Sequence, residues 1–268
     1  WNRHPRVIYK ESESKYWVYF AGGNTYRAIG LATGTSLKSA LTEITDGIGG
    51  SSRVLEASGV SGAFDETGVS FPSVIYDPVE LDANKRWKML FSGRNSAGAY
   101  ADIGYAYSAD GKSWTKYSGN PVINLSYNVQ GPSLMRLGNK FYCVYERLDT
   151  HVMEVAYSND CVSWTVWGTL LTVGGAGAWD DYLVQYPTIY FDQGTFYMVY
   201  TGVQSGGLSK MGLALSNKFF ETWSKLPYNP VLEDSVSVGS GCLIRMEDEF
   251  IMVYSHDNPM SVRSATIP

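Results

Sequence analysis

Hydrophobic and polar positions along this chain follow one plan, repeated in copies of decreasing clarity. It is plainest from Trp179 to Gly202, WDDYLVQYPTIYFDQGTFYMVYTG, where an aromatic–acid pair opens the stretch and Pro187 follows Asp180 by seven positions. A β-branched and aromatic run comes next, then a turn, then a second alternating run ending in Tyr-Thr-Gly. Residues 64–93 repeat the plan with Phe64-Asp65, the same seven positions to Pro72, and a run ending at Gly93. Residues 129–146 (VQGPSLMRLGNKFYCVYE) carry Pro132 in that place, and the first residues carry Pro5. The most degenerate copy, SGCLIRMEDEFIMVYSH, has Gly241 instead of proline.

The anchors at 5, 72, 132, 187 and 241 are spaced 54 to 67 residues apart, a period that signals repeated supersecondary units. Each unit reads as a two-stranded hairpin followed by a third strand: IGLAT (29–33), IGYAYS (103–108), EVAYS (154–158), MGLALS (211–216) and VRSA (262–265). Trp114, Trp164 and Trp223 follow in three units, and Asn-Pro-Val closes two of them at 120–122 and 229–231. Short alternating strands at this spacing predict antiparallel all-β structure. Five four-stranded sheets around an axis make a five-bladed β-propeller. The expected blades cover about residues 1–58, 59–124, 125–174, 175–233 and 234–268 of a single domain. The one stretch with helical spacing, residues 36–44, reads equally as a surface loop. The aromatic–acid pair of the first unit would fall before Trp1, which predicts a chain continuing upstream, with other domains, and a ring short of one strand.

Composition narrows the function. A net charge of −5 and a pI near 5.3 argue against a nucleic-acid partner, which needs a basic face. No apolar run reaches the length of a membrane span, so membrane insertion is not expected. Cys143, Cys161 and Cys242 form no metal pattern; a Cys143–Cys161 bridge and buried free thiols both remain open. Neither a metal nor another cofactor is expected.

In a propeller the first strand of every blade lines the axis, so the residues just before each anchor face one shared pocket. They are Arg3-His4, Ser70-Phe71, Gln130-Gly131, Gln185-Tyr186 and Gly239-Ser240. Aromatic faces with hydrogen-bonding side chains suit a sugar ring; the same residues could instead satisfy backbone groups near the axis. Asp65 and Asp180, with Glu66 and Asp181 beside them, could supply the carboxylate pair of glycoside hydrolysis, or cap turns; Trp179 would then join the sugar contacts. After the second strands come Gly22-Gly23-Asn24, Arg94-Asn95, Glu146-Arg147, Val203-Gln204 and His256-Asp257. Glu146 is the candidate general acid, with Arg147 or Arg94 orienting a substrate group and Asp257 able to fix the His256 tautomer. A surface ion pair on a loop is the competing reading for Glu146 and Arg147.

SADGKSW (108–114) and SNDCVSW (158–164) resemble, one residue short, the Asp-box turns of sialidases, which implies structural roles for Asp110 and Asp160. The whole set resembles the five-bladed propellers of glycoside hydrolase families 43 and 32: aromatic-Asp, Pro-Ser-Val-Ile at 72–75, Tyr-Met-Val-Tyr-Thr-Gly at 197–202, IGYAYSADGKSWTK and Asn-Pro-Val. The resemblance runs through the entire chain. It implies three acids: an aspartate just before the first-blade proline, an aspartate just after the second-blade proline, and the glutamate of a Glu-Gly-Pro in the third blade. Those places hold His4, Ser73 and Gln130. Glutamine keeps the shape of glutamate but exchanges no catalytic proton.

Two readings therefore stand. One is a glycosidase acting on a poly- or oligosaccharide through displaced carboxylates, Asp65, Asp180 and Glu146. The other is a propeller that binds glycan without cleaving it, as a module of a larger secreted, surface or phage tail protein. Both place the chain outside the cell, and they are separated by whether two carboxyl groups converge at the axis.

Overall fold

A computed structural model describes residues 3–22, 28–221, 223–246, 248–257 and 260–267. It is a five-bladed β-propeller with antiparallel blades. The first blade holds β1 (Arg3–Lys10), β2 (Lys15–Gly22) and β3 (Ala28–Gly34), with β4 (Thr42–Glu43) and β5 (Arg53–Glu56) both paired to the outer side of β3. The second holds β6 (Gly68–Tyr76), β7 (Trp87–Arg94), β8 (Tyr100–Ser108) and β9 (Thr115–Lys116). The third holds β10 (Val129–Leu137), β11 (Lys140–Arg147), β12 (Val152–Ser158) and β13 (Thr165–Leu171). The fourth holds β14 (Leu183–Asp192), β15 (Thr195–Val203), β16 (Ser209–Ser216) and β17 (Ser224–Lys225). The fifth holds β18 (Val238–Met246), β19 (Glu249–Asp257) and β20 (Met260–Ile267).

The hairpins form where the sequence alternation meets turn chemistry. Between β14 and β15, Asp192 pairs with Thr195 across a two-residue loop, and Gln193 and Gly194 both adopt positive φ, 47° and 85°. That is the handedness whose twist matches two antiparallel strands. The two Asp-box-like turns close as the sequence implies: Asp110 accepts from the amides of Lys112 and Ser113, and Asp160 from those of Val162 and Ser163, each at 2.8 Å. The indoles of Trp114 and Trp164 then donate back to the carbonyls of Gly111 and Cys161.

Five apolar clusters lie between successive blades and close the ring. Trp17 stacks on Trp87 at 5.6 Å between blades one and two. Val18 packs with Cys242, Ile251 and Val253 where blade five meets blade one. The expectation of four strands in every blade needs correcting at this seam, where blade one has five strands and blade five, among the described residues, three. Residues 36–44 form turns and the short strand β4 rather than a helix, and they contact β19 and β20 of blade five. There Ser264 donates to the Leu37 carbonyl at 2.7 Å, and Lys38 pairs with Glu249. All three cysteines are buried free thiols, which removes the Cys143–Cys161 bridge. Among the described residues no helix is long and apolar enough to cross a membrane.

Candidate functional site

The anchor prolines mark β-bulges. In every inner strand the register with its neighbour slips at the anchor: between Arg3 and Arg6, Ser70 and Ser73, Gln130 and Ser133, Gln185 and Thr188, and Gly239 and Cys242. The residue before each anchor takes a left-handed backbone: His4 (φ 56°), Phe71 (53°), Gly131 (63°), Tyr186 (56°) and Ser240 (49°). A bulge tolerates proline because the ladder is already broken there. For the four non-glycine residues the conformation costs about 1–2 kcal/mol each, so it persists only where the surroundings enforce it.

The enforcement comes from the neighbouring blade. The amide of Gly131 donates to Ser92 Oγ (3.0 Å), that of Ser240 to Thr201 Oγ1 (2.9 Å), and that of His4 to Ser255 Oγ (3.0 Å). The Tyr186 amide donates to the carboxylate of Glu146. These acceptors occupy one equivalent position, opposite Ser70, Gln130, Gln185 and Gly239 in their own hairpins. Glu146 is thus a carboxylate where the other blades use a hydroxyl, and where blade one has Ala21 opposite Arg3.

The bulges turn three rings onto the axis. Phe71 and Tyr186 stack at 4.9 Å, His4 lies 3.7 Å from Phe71 and 5.4 Å from Tyr186, and Tyr100 meets Phe71 edge-on at 5.3 Å. At Gly131 a Cβ would meet the Tyr186 ring only at ordinary contact distance, 3.6 Å, so it is the positive φ of 63° that favours glycine there. His4 Nδ1 is 2.7 Å from Ser240 Oγ. Beneath the rings remains a cavity of about 30 Å³, and none of its lining residues is acidic. We call this end of the axis the upper face.

Glu146 sits beside these rings, bonded to the Tyr186 amide, and is almost completely buried. Gln130 Nε2 donates to its Oε2 at 2.9 Å, and His151 Nδ1 lies 3.4 Å from its Oε1. Burial pushes the Glu146 carboxyl above its ordinary range, while the bonds from His151, Gln130 and the Tyr186 amide pull the other way. Burial, helped by Arg3, holds the His4 imidazole down at about 3, so it is neutral at physiological pH.

Other candidates lie elsewhere. Asp65 is buried against Lys116 of β9, and Asp180 against Lys225 of β17 (2.7 Å) and the hydroxyl of Tyr200 (3.0 Å). These lysines belong to the outermost strands of blades two and four, so each acid spans its own blade and the two do not form an axial pair. Glu66 and Asp181 accept from the amides of Gly62 and Gly177 and tie their loops. Trp179 packs on Gly212 rather than on the axis. Arg147 turns to Asp149 (2.6 Å) and Glu154 (3.4 Å), and Arg94 to the Gly98 carbonyl (2.9 Å), so both are engaged away from Glu146. His256 is buried with Asp234 at 3.2 Å, whereas Asp257 pairs with Arg3 at 2.7 Å, so Asp257 is not its orienting partner. Gln185 is half-buried next to Tyr186. Gly23 and Asn24 lie outside the described residues.

The sequence reading missed His151 and Asp102. His151 is one of three histidines and sits in the hairpin turn after β11, at φ 52°. Asp102, at the upper end of β8, is half-buried, and burial raises its carboxyl above the ordinary range. Among the described residues no cluster of three or more His, Cys, Asp or Glu side chains could hold a metal ion.

The architecture is a five-bladed propeller of the kind that family 43 glycoside hydrolases share. A thermostable family-43 glycoside hydrolase superposes with a TM-score of 0.77 at 16% identity, over 99% of this chain and 89% of that one. An endo-1,4-β-xylanase from Bacteroides thetaiotaomicron gives 0.75 at 18% identity (99% and 90%), and an α-L-arabinofuranosidase from Lactobacillus brevis 0.70 at 12% (99% and 90%). No protein-family model matches the sequence, and no curated protein matches it. At these identities the likeness establishes the fold.

Proposed function

We propose that this glycosidase-like propeller binds a poly- or oligosaccharide at its upper axial mouth without cleaving it. One observation carries the reading: the five bulge residues that meet on the axis are His4, Phe71, Gly131, Tyr186 and Ser240, with no carboxyl group among them. Glycoside hydrolysis needs two carboxyl groups about 5–9.5 Å apart flanking the scissile bond. The resemblance to family 43 points to acids at the places of His4, Ser73 and Gln130, and all three are replaced. Of the acids considered as substitutes, Asp65 and Asp180 are committed to lysines, and Glu146 already accepts from Gln130 and the Tyr186 amide.

The mouth suits a sugar in other respects. The partly exposed rings of His4 and Tyr186 offer faces for C–H contacts. Around them Arg3, Gln185, Tyr182 and His151 are half-buried or exposed donors and acceptors for hydroxyl groups. The structural neighbours include a xylanase and an arabinofuranosidase, which supports a polysaccharide as ligand; an extracellular setting is part of the same proposal. Affinity electrophoresis through gels containing arabinan, xylan, fructan, mannan or bacterial surface glycans tests the reading. Retardation in at least one gel is expected, weakened about tenfold by Tyr186→Ala, the equivalent of about 1.4 kcal/mol. Migration unaltered in every gel would refute it.

A further inference from the structure

One residue below the anchors a second ring crosses the axis: Arg6, Ser73, Ser133, Thr188 and Cys242. Its hydroxyls tie blade to blade. Ser73 Oγ accepts from the Leu134 amide (2.7 Å), Ser133 Oγ from the Ile189 amide (2.9 Å), and Thr188 donates to the Gly241 carbonyl (2.7 Å). Arg6 Nη2 donates to both Ser73 Oγ (2.6 Å) and Ser133 Oγ (3.0 Å). Only 8% of Arg6 is exposed, and among the described residues no carboxylate lies within ion-pair distance of it.

This is a buried cation with neutral partners. The titratable groups that act on it are the thiols of Cys143 and Cys242. Burial pushes the Cys242 thiol up to about 11 and that of Cys143 higher still, so both are uncharged at neutral pH. Guanidinium cannot shed its charge as a lysine would, and an isolated ion in a protein interior is costly unless something compensates it.

Space for compensation lies beneath it. A cavity of about 330 Å³ opens from Arg6 and Cys242 toward the lower face, walled mainly by apolar residues such as Val74, Leu134 and Ile189. Its lining includes a second guanidinium, Arg136, and no acidic residue. Arg136 holds Asp77 through Nη1 at 3.3 Å, but its buried Nε has no hydrogen-bond partner.

We propose that this lower axial cavity is a binding site for a small inorganic anion of the halide class, held against Arg6. The site is separate from the sugar mouth, from which the rings of His4, Phe71 and Tyr186 divide it. Bromide is the probe. Unfolding is followed in sodium bromide and in sodium gluconate at equal ionic strength, and a bromide-soaked crystal is examined for anomalous scattering. The expected result is a saturable rise in Tm of about 2–4 °C in bromide, a bromide peak beside the Arg6 guanidinium, and no rise in Arg6→Met. General salt effects run the other way, because strongly excluded anions are the ones that favour the compact state. An absent rise, a rise that survives in Arg6→Met, or a crystal with no axial bromide would each overturn the proposal. Should Arg6→Met fail to fold, the wild-type titration and the bromide map still decide.

Discussion

Glu146 shows how one side chain can look catalytic in sequence and be positional in structure. It stands where Ser92, Thr201 and Ser255 stand in other blades, and all four accept from a bulge amide of the next blade. Opposite it lies Gln130, whose amide is 2.9 Å away. Replacing Gln130 by glutamate restores the acid that family 43 implies, but in contact with Glu146, and two such carboxylates must share a proton. The folded variant would bind more protons than the unfolded chain above the ordinary carboxylate range. Its stability should therefore fall as pH rises, with Tm further below wild type at pH 8 than at pH 5. An equal deficit at both values would show that the two groups do not interact. His4 works in the opposite sense. Its folded value of about 3 lies below the ordinary 6.5, so the unfolded state binds the extra proton between them. That contribution is complete above about pH 6.5 and is lost as pH falls toward 3. His4→Gln should flatten this part of the denaturation midpoint against pH, and an unchanged slope would contradict the assignment.

At the scale of the element, the recurring aromatic–acid pair is explained by the blade it belongs to. The rings of Phe64 and Trp179 lie over glycines of their third strands, Gly104 and Gly212, where a Cβ would come within 2.6 and 2.8 Å of them. The acids that follow reach the outer-strand lysines, Lys116 and Lys225. Repetition was the legible sign of this: a carboxylate needed at the same place in two blades serves the blade. The partner lysine could not be read, because it follows Asp65 by 51 residues and Asp180 by 45. Gly212→Val should destabilise by about 2–3 kcal/mol through overpacking against Trp179 and Tyr200. Gly175→Ala, which would meet nothing within 4 Å, should stay within about 0.5 kcal/mol of wild type. Urea unfolding of the two variants checks this, and equal stabilities would remove the packing role of the ring.

Across the whole molecule, the fold was legible because it is written five times, in alternation, turns and anchors. The site was not, because it lies where the copies differ. The set His4, Phe71, Gly131, Tyr186 and Ser240 shares a backbone conformation but no side-chain chemistry, and the amides of His4, Gly131, Tyr186 and Ser240 are each held by a side chain of the preceding blade. The seam shows the same limit: a fifth blade with three strands among the described residues is covered by a first-blade loop, through Leu37 and Lys38, that no repeat announces. The central claim is that this ring has kept the propeller and its glycan mouth while its axis has lost the acids of hydrolysis. The most direct measurement is release of reducing ends from whichever polysaccharide the protein retains, with Glu146→Gln and Asp102→Asn alongside. The account predicts retention of the glycan and no release above background in any of the three proteins. Release by the wild type that disappears in either variant would contradict it.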